Sequence, residues 1–127
     1  MNKIVLDASA VLALINQETG YKVVEKVISQ AMISTVNLAE VIAVLVDIGM
    51  TNKEAETITY GLINEVVPFD HDQSIVTGIL RKNTKQYGLS LGDRACLALA
   101  KIHSLPVLTA DKVWSKLEIG IEVNLLR

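Results

Sequence analysis

The sequence predicts an α/β domain of three layers, with helices covering both faces of a mostly parallel sheet of four or five strands. Two observations lead there. Short aliphatic runs alternate with longer stretches of helical periodicity along the chain, the pattern of βαβ units. Half of the 127 residues are apolar while only 4% are aromatic, and an aliphatic interior suits parallel strands buried on both faces. The length predicts one domain, residues 1–127, large enough to bury a core. No linker, internal repeat or low-complexity segment divides it.

Lys3 to Leu6 reads as a short buried strand that ends at Asp7, and Ala8 to Asn16 as an apolar helix. From Gly20, the spacing of Tyr21, Val24, Val27 and Ile28 predicts an amphipathic helix over 20–30. Ala31 to Ser34 is the next strand. The apolar positions Leu38, Val41, Ile42, Leu45 and Ile48 then mark a helix stopped by Gly49. Thr51, followed three residues later by Glu54, signals a capping box and a helix to about Asn64.

Val66 to Phe69 is read as extended, and Asp70 as the cap of a helix reaching about Asn83. Lys85 to Leu89 is a loop around Tyr87-Gly88. Ser90 opens a helix with a core stripe of Leu91, Ala95, Ala98, Leu99 and Ile102. Pro106 to Thr109 is a strand, Asp111 to Leu117 a short helix and Glu122 to Leu125 a last strand.

Asp7, Glu40, Asp93 and Asp111 each stand where one element hands over to the next. In an open parallel sheet the carboxyl ends of the strands meet along one crevice, where ligands bind. Acids delivered there from separate elements form a cluster that repels itself unless a cation or a proton neutralises it. Carboxylates without histidine or cysteine beside them suit a hard, oxygen-loving ion such as Mg²⁺ or Mn²⁺. Singly, each acid has a plainer explanation. Asp7 and Asp111 suit helix N-caps, and Glu40 and Asp93 complete capping boxes with Asn37 and Ser90. Capping alone gives no reason for two strand ends and two helix starts to present acids to one edge.

Charge is unevenly spread. Residues 1–72 carry four basic and ten acidic side chains, and residues 73–127 carry eight basic and four acidic, for a net charge of −2. Ordinary solvated faces account for this. So does a functional reading in which Arg81, Lys82, Lys85, Arg94, Lys101, Lys112 and Lys116 hold a polyanion near a metal site. The chain lacks the strong basicity of a tight nucleic-acid binder. One cysteine, Cys96, excludes an internal disulfide framework and reads as a packed side chain. His71 and His103 sit near helix ends with no second ligand beside them, and Trp114 reads as packing for the short helix rather than as a base-stacking surface. No glycine-rich phosphate loop is present, which argues against nucleoside triphosphate hydrolysis. At the amino terminus, Met1-Asn2-Lys3 and the apolar run to Ile15 loosely follow a signal peptide, but Asp7 interrupts the run and no cleavage site precedes Gln17-Glu18-Thr19-Gly20. A cytoplasmic protein is expected.

Four segments resemble the signature blocks of PIN-domain ribonucleases, most closely the VapC-type toxins of bacterial toxin–antitoxin pairs. They are Val5-Leu6-Asp7-Ala8-Ser9, Ser34-Thr35-Val36-Asn37-Leu38-Ala39-Glu40, Leu91-Gly92-Asp93-Arg94-Ala95 and Leu108-Thr109-Ala110-Asp111. Each block is short, but all four occur in order across the chain. The resemblance implies a PIN-like fold in which Asp7, Glu40, Asp93 and Asp111 form the metal-binding, catalytic pocket for Mg²⁺ or Mn²⁺, supported by Ser9 and Thr109. It further implies an RNA substrate, hydrolysis by water, a homodimer and a cognate antitoxin protein over the active-site groove. Half of the chain is apolar and its mean hydropathy is +0.38, so part of the apolar surface on helices 20–30 and 51–64 is expected to serve such contacts. The alternative is a binding module that keeps the fold for RNA or protein contacts with weak or no turnover. A phosphoacceptor receiver domain ranks last. Asp7 stands alone after its strand, and Thr109-Ala110-Asp111 puts an acid where that family places a lysine.

Overall fold

In the computed structural model, which describes residues 2–127, five strands form one sheet, all parallel, in the order β3-β2-β1-β4-β5. The strands are β1 (Ile4–Leu6), β2 (Ala31–Ser34), β3 (Glu65–Val67), β4 (Val107–Thr109) and β5 (Val123–Leu125). The helices are α1 (Ala8–Asn16), α2 (Tyr21–Val27), α3 (Thr35–Asp47), α4 (Asn52–Leu62), α5 (His71–Thr84) and α6 (Leu91–His103). Met1, part of the segment weighed as a leader, lies outside the described residues.

Successive strand residues divide between the two faces, as the period-2 pleat requires. Leu6, Ile33 and Leu108 join Val11, Val24, Val41 and Leu45 in a core beneath α1 to α4. Val5, Met32 and Val107 join Leu80, Leu97, Leu99 and Trp114 in a second core beneath α5 and α6. These are the three predicted layers. Helix α6 is buried along most of its length, from Ala95 to Ala100 without a break. Chain order reverses across β1: the path runs from β1 outward to β2 and β3, then returns to β4 on the other side. The gap between the carboxyl ends of β1 and β4 is therefore the topological switch point, where open α/β sheets bind ligands.

The expected caps at Thr51, Asp70 and Ser90 are in place, with full capping boxes at Thr51/Glu54 and Ser90/Asp93. Several boundaries differ. Helix α3 starts at Thr35 rather than near Leu38, because extended Ser34 accepts the Val36 N–H on its hydroxyl at 3.1 Å. Asn37 therefore lies inside the first turn and does not cap it. Helix α2 tightens into a 3-10 turn at Ile28–Gln30, a second 3-10 turn (Lys85–Tyr87) occupies the expected loop, and the short helix after Asp111 is a 3-10 helix over Lys112–Lys116. Strand β3 ends at Val67, before Pro68, whose ring nitrogen has no hydrogen to donate. Gly20 enters α2 at a φ of +90°, packed so closely on the Leu126 carbonyl that a side chain there would collide with it. Among the described residues no helix is long and apolar enough to cross a membrane.

Candidate active site

Asp7 leaves β1 in extended conformation and caps α1, so its carboxylate is drawn toward the first free N–H groups of that helix. Its Oδ1 accepts from the Ala10 N–H at 2.9 Å and the Ser9 hydroxyl at 2.7 Å, and its Oδ2 accepts from the Thr109 hydroxyl at 2.6 Å. The neighbouring β4 end is tied into the same network. The Ala110 N–H donates to Ser9 Oγ and the Asp111 N–H to Thr109 Oγ1, each at 3.0 Å. Ser9 and Thr109, predicted as supports, thus hold Asp7 directly. Asp7 is only 5% exposed. Burial raises the pKa of its carboxyl above the ordinary range, against the pull of Thr109, Ser9 and Ala10, and the charge of Asp93 pushes the same way.

Glu40 and Asp93 reach this edge from α3 and α6. The Asn37 amide, three residues before Glu40 on the same helical face, donates to Glu40 Oε1 at 2.8 Å and to the Gly92 carbonyl at 2.9 Å. Gly92 offers the carboxylate a surface without a side chain: a methyl group built there would stand 2.6 Å from the Glu40 carboxyl carbon and closer still to Oε2. Asp93 Oδ2 accepts from the Ser90 N–H at 2.9 Å. Beneath these groups lies Cys96, fully buried, whose thiol pKa is pushed well up by burial and then by the charges of Asp7, Asp93 and Glu40. Asp7, Asp93 and Glu40, from three elements, thus all act on the same buried thiol. Asp111 stands exposed at the rim, capping the 3-10 helix through a bond from the Val113 N–H to its Oδ1.

The donor set is all oxygen, which is the chemistry of a hard divalent ion. Among the described residues no three His, Cys, Asp or Glu side chains stand close enough together to enclose an ion unaided. An ion such as Mg²⁺ keeps several waters and needs only one or two carboxylates directly. Glu40 Oε2, Asp93 Oδ1 and Asp111 Oδ2 accept no hydrogen bond among the described residues. The Asn37 Oδ1 atom is buried and equally without a partner. The residues present fit an ion held partly through water.

The segment from residue 4 to residue 120 matches the sequence pattern of the PIN domain. The chain belongs to the PIN domain family. This PIN domain shares its fold with the DNA-bound VapBC of Salmonella typhimurium, at a TM-score of 0.77 and 22% identity over 100% of both chains. It is similar to a toxin–antitoxin complex from Klebsiella pneumoniae, at a TM-score of 0.75 and 20% identity over 98% of each chain. A member of the VapBC family of toxin–antitoxin systems from Mycobacterium tuberculosis matches at a TM-score of 0.65 and 22% identity, over 100% of this chain and 99% of that one. No curated protein gives a significant match.

Cys96 and Trp114 are wholly buried, so neither is a nucleophile or a base-stacking surface. His71 and His103 are exposed at opposite ends of two helices. Arg94, grouped with the basic side chains of the second half, packs between helices. Its Nη1 donates to the Thr77 carbonyl at 3.0 Å and its Nε is buried without a partner. Lys112 and Lys116 remain exposed beside Asp111. Sequence reasoning missed Asn37 and Gly92 as parts of this site. Ser34 directly before Thr35 was the available signal, since a cap there moves Asn37 into the helix and frees its amide.

Proposed function

We propose that this PIN domain, a single domain over residues 1–127, is a metal-dependent endoribonuclease and the toxin of a toxin–antitoxin pair. Asp7, Glu40, Asp93 and Asp111 are its metal-binding and catalytic acids, with Mg²⁺ or Mn²⁺ as cofactor and RNA as substrate. What supports this reading is that Asp7 leaves β1 at the switch beside β4, tied to Thr109, while the Asn37 amide brings Glu40 of α3 against Gly92, the residue before Asp93. A divalent ion bound there offsets charge on the phosphodiester and lowers the pKa of the attacking water. The protein's part is to hold the acids in place. Ser9, Thr109 and the Ala10 N–H fix Asp7, while Ser90 fixes Asp93 and leaves its second oxygen for the ion shell. Asp111 guards the rim, with Lys112 and Lys116 beside it for the phosphate backbone. Hydrolysis by water leaves 5′-phosphate and 3′-hydroxyl ends.

Contacts with an antitoxin and with a second copy are supported by unpartnered apolar surface. Tyr60 is 80% exposed at the lip of a 640 Å³ groove between α3, α4 and β3, lined in part by Leu38, Ile42 and Ile63. The similar structures from Klebsiella pneumoniae and Mycobacterium tuberculosis are a toxin–antitoxin complex and a member of a toxin–antitoxin family. A cytoplasmic location suits a free, buried cysteine.

The test is cleavage of a panel of cellular RNAs by the purified chain with Mg²⁺ or Mn²⁺, with EDTA, and by Asp7→Asn. Cleavage that requires both the metal and Asp7 is the expected result. The open spacing of the carboxylates favours one other reading, a PIN-like RNA- or protein-binding module with little turnover. RNA binding by a folded, metal-loaded chain that cuts nothing would establish that reading instead.

A further inference from the structure

Asn37 is 1% exposed, yet only half of its amide is used. Its Nδ2 faces two acceptors, Glu40 Oε1 at 2.8 Å and the Gly92 carbonyl at 2.9 Å. That pair settles the orientation of the amide, because the flipped group would set three acceptors against one another. Oδ1 is then left buried with no donor among the described residues. A buried unsatisfied carbonyl costs stability that a leucine of similar shape would not incur. Of the two bonds that the amide does make, the one to Glu40 stays within α3 and the one to the Gly92 carbonyl links α3 to α6. One ends on an acid of the site. The other ends on the residue next to another acid, Asp93. Gly92 completes the arrangement, since any side chain there would displace the Glu40 carboxylate.

We propose that Asn37 is a positioning residue that fixes the Glu40 carboxylate against the first turn of α6, and so sets Glu40 relative to Asp93 for the ion they share. This rests on the metal-dependent reading above. In this role Asn37 acts through its bond to Glu40. Loss of such an orienting group weakens metal affinity by roughly 10–100-fold. A residue that served packing alone would leave affinity unchanged wherever the fold survives.

The experiment is calorimetric titration of the full chain with Mn²⁺, free of RNA, for wild type, Asn37→Leu, Glu40→Gln and the double variant, with thermal unfolding in EDTA alongside. Asn37→Leu is expected to bind Mn²⁺ about 10–100-fold more weakly while still folding and melting cooperatively in EDTA. In the Glu40→Gln background the same substitution is expected to add no further loss, because the group it positions is gone. Wild-type affinity in Asn37→Leu overturns the inference alone, as does an equal loss in both backgrounds. No Mn²⁺ binding by the wild-type chain overturns both the inference and the metal-dependent reading beneath it. If Asn37→Leu does not fold, Asn37→Ser, which can donate to only one of the two acceptors, takes its place with the same outcomes.

Discussion

Replacing Gly92 with alanine separates the site from the fold more cleanly than removing an acid does. The added methyl group would stand 2.6 Å from the Glu40 carboxyl carbon and from Oε1, where ordinary contacts begin at 3.4 Å. The Glu40 side chain must then withdraw by at least about 0.8 Å, and its bond from Asn37 stretches or breaks. Two stability effects oppose one another. Alanine is favoured over glycine inside a helix by about 0.8–1.0 kcal/mol, and Gly92 has no left-handed φ to forbid it. Loss of the Asn37–Glu40 bond costs about 0.5–1.5 kcal/mol. The net change is within about 1 kcal/mol of zero, so the variant is expected to melt within roughly 4 °C of wild type. Activity should not be spared. A displacement of about 1 Å at a reacting centre costs on the order of 100-fold in rate. The assay is kcat/KM on the best RNA substrate at saturating Mn²⁺, paired with a melting curve in EDTA. Wild-type kcat/KM would refute the role given to Gly92 and to the placement of Glu40. A large drop in melting temperature would refute the claim that the collision is confined to one adaptable side chain.

Two further outcomes follow from the same geometry. Asp7 holds its proton more tightly folded than unfolded, so its ionisation costs stability as pH rises from its ordinary 3.8 through the raised folded value. Asp7→Asn, expected to lose the proposed metal-dependent cleavage, is therefore also expected to melt above wild type in EDTA at neutral pH. That advantage should shrink on acidification and vanish below about pH 3.8, where both forms are neutral; a variant less stable than wild type at pH 7 would contradict this. Far from the site, Thr51→Ala removes the hydroxyl that accepts the Glu54 N–H at 3.1 Å and with it the capping box of α4. It is expected to cost about 1 kcal/mol and roughly 4 °C with no change in kcat/KM, and a change in kcat/KM would mean that α4 is coupled to the acids.

Much of this molecule was legible because its local signals agree with its tertiary structure. Aliphatic runs became strands divided between two cores, and Thr51, Asp70 and Ser90 began helices where their side chains reach free N–H groups. The sheet is wholly parallel rather than mostly so, which short strands cannot reveal before their partners are known. The start of α3 was misplaced because both Ser34 and Asn37 are good caps. Ser34 prevails since it ends β2 in extended conformation while Asn37 is claimed by Gly92, 55 positions away. Arg94 looked free for the same reason: its anchor, the Thr77 carbonyl, lies on another helix and backbone carbonyls leave no mark in a sequence. Contacts between distant segments were the part that residue types and spacing did not carry.

The plain and the functional explanations of the acids prove to be compatible. Asp7 and Asp111 are N-caps and Asp93 is the partner of Ser90 in a capping box: each accepts a backbone N–H at the start of a helix or 3-10 helix. A cap fixes one carboxylate oxygen against the free N–H groups of the helix it opens. The other oxygen of Asp93 and of Asp111 accepts nothing among the described residues. Capping thus holds a carboxylate with little conformational freedom while leaving one of its oxygens unbonded in Asp93 and Asp111. Glu40 is the exception, lying within α3 beyond the reach of free N–H groups. It has the longest side chain of the four and lacks a cap to orient it. That is why this one acid needs an amide on one side and a bare glycine on the other.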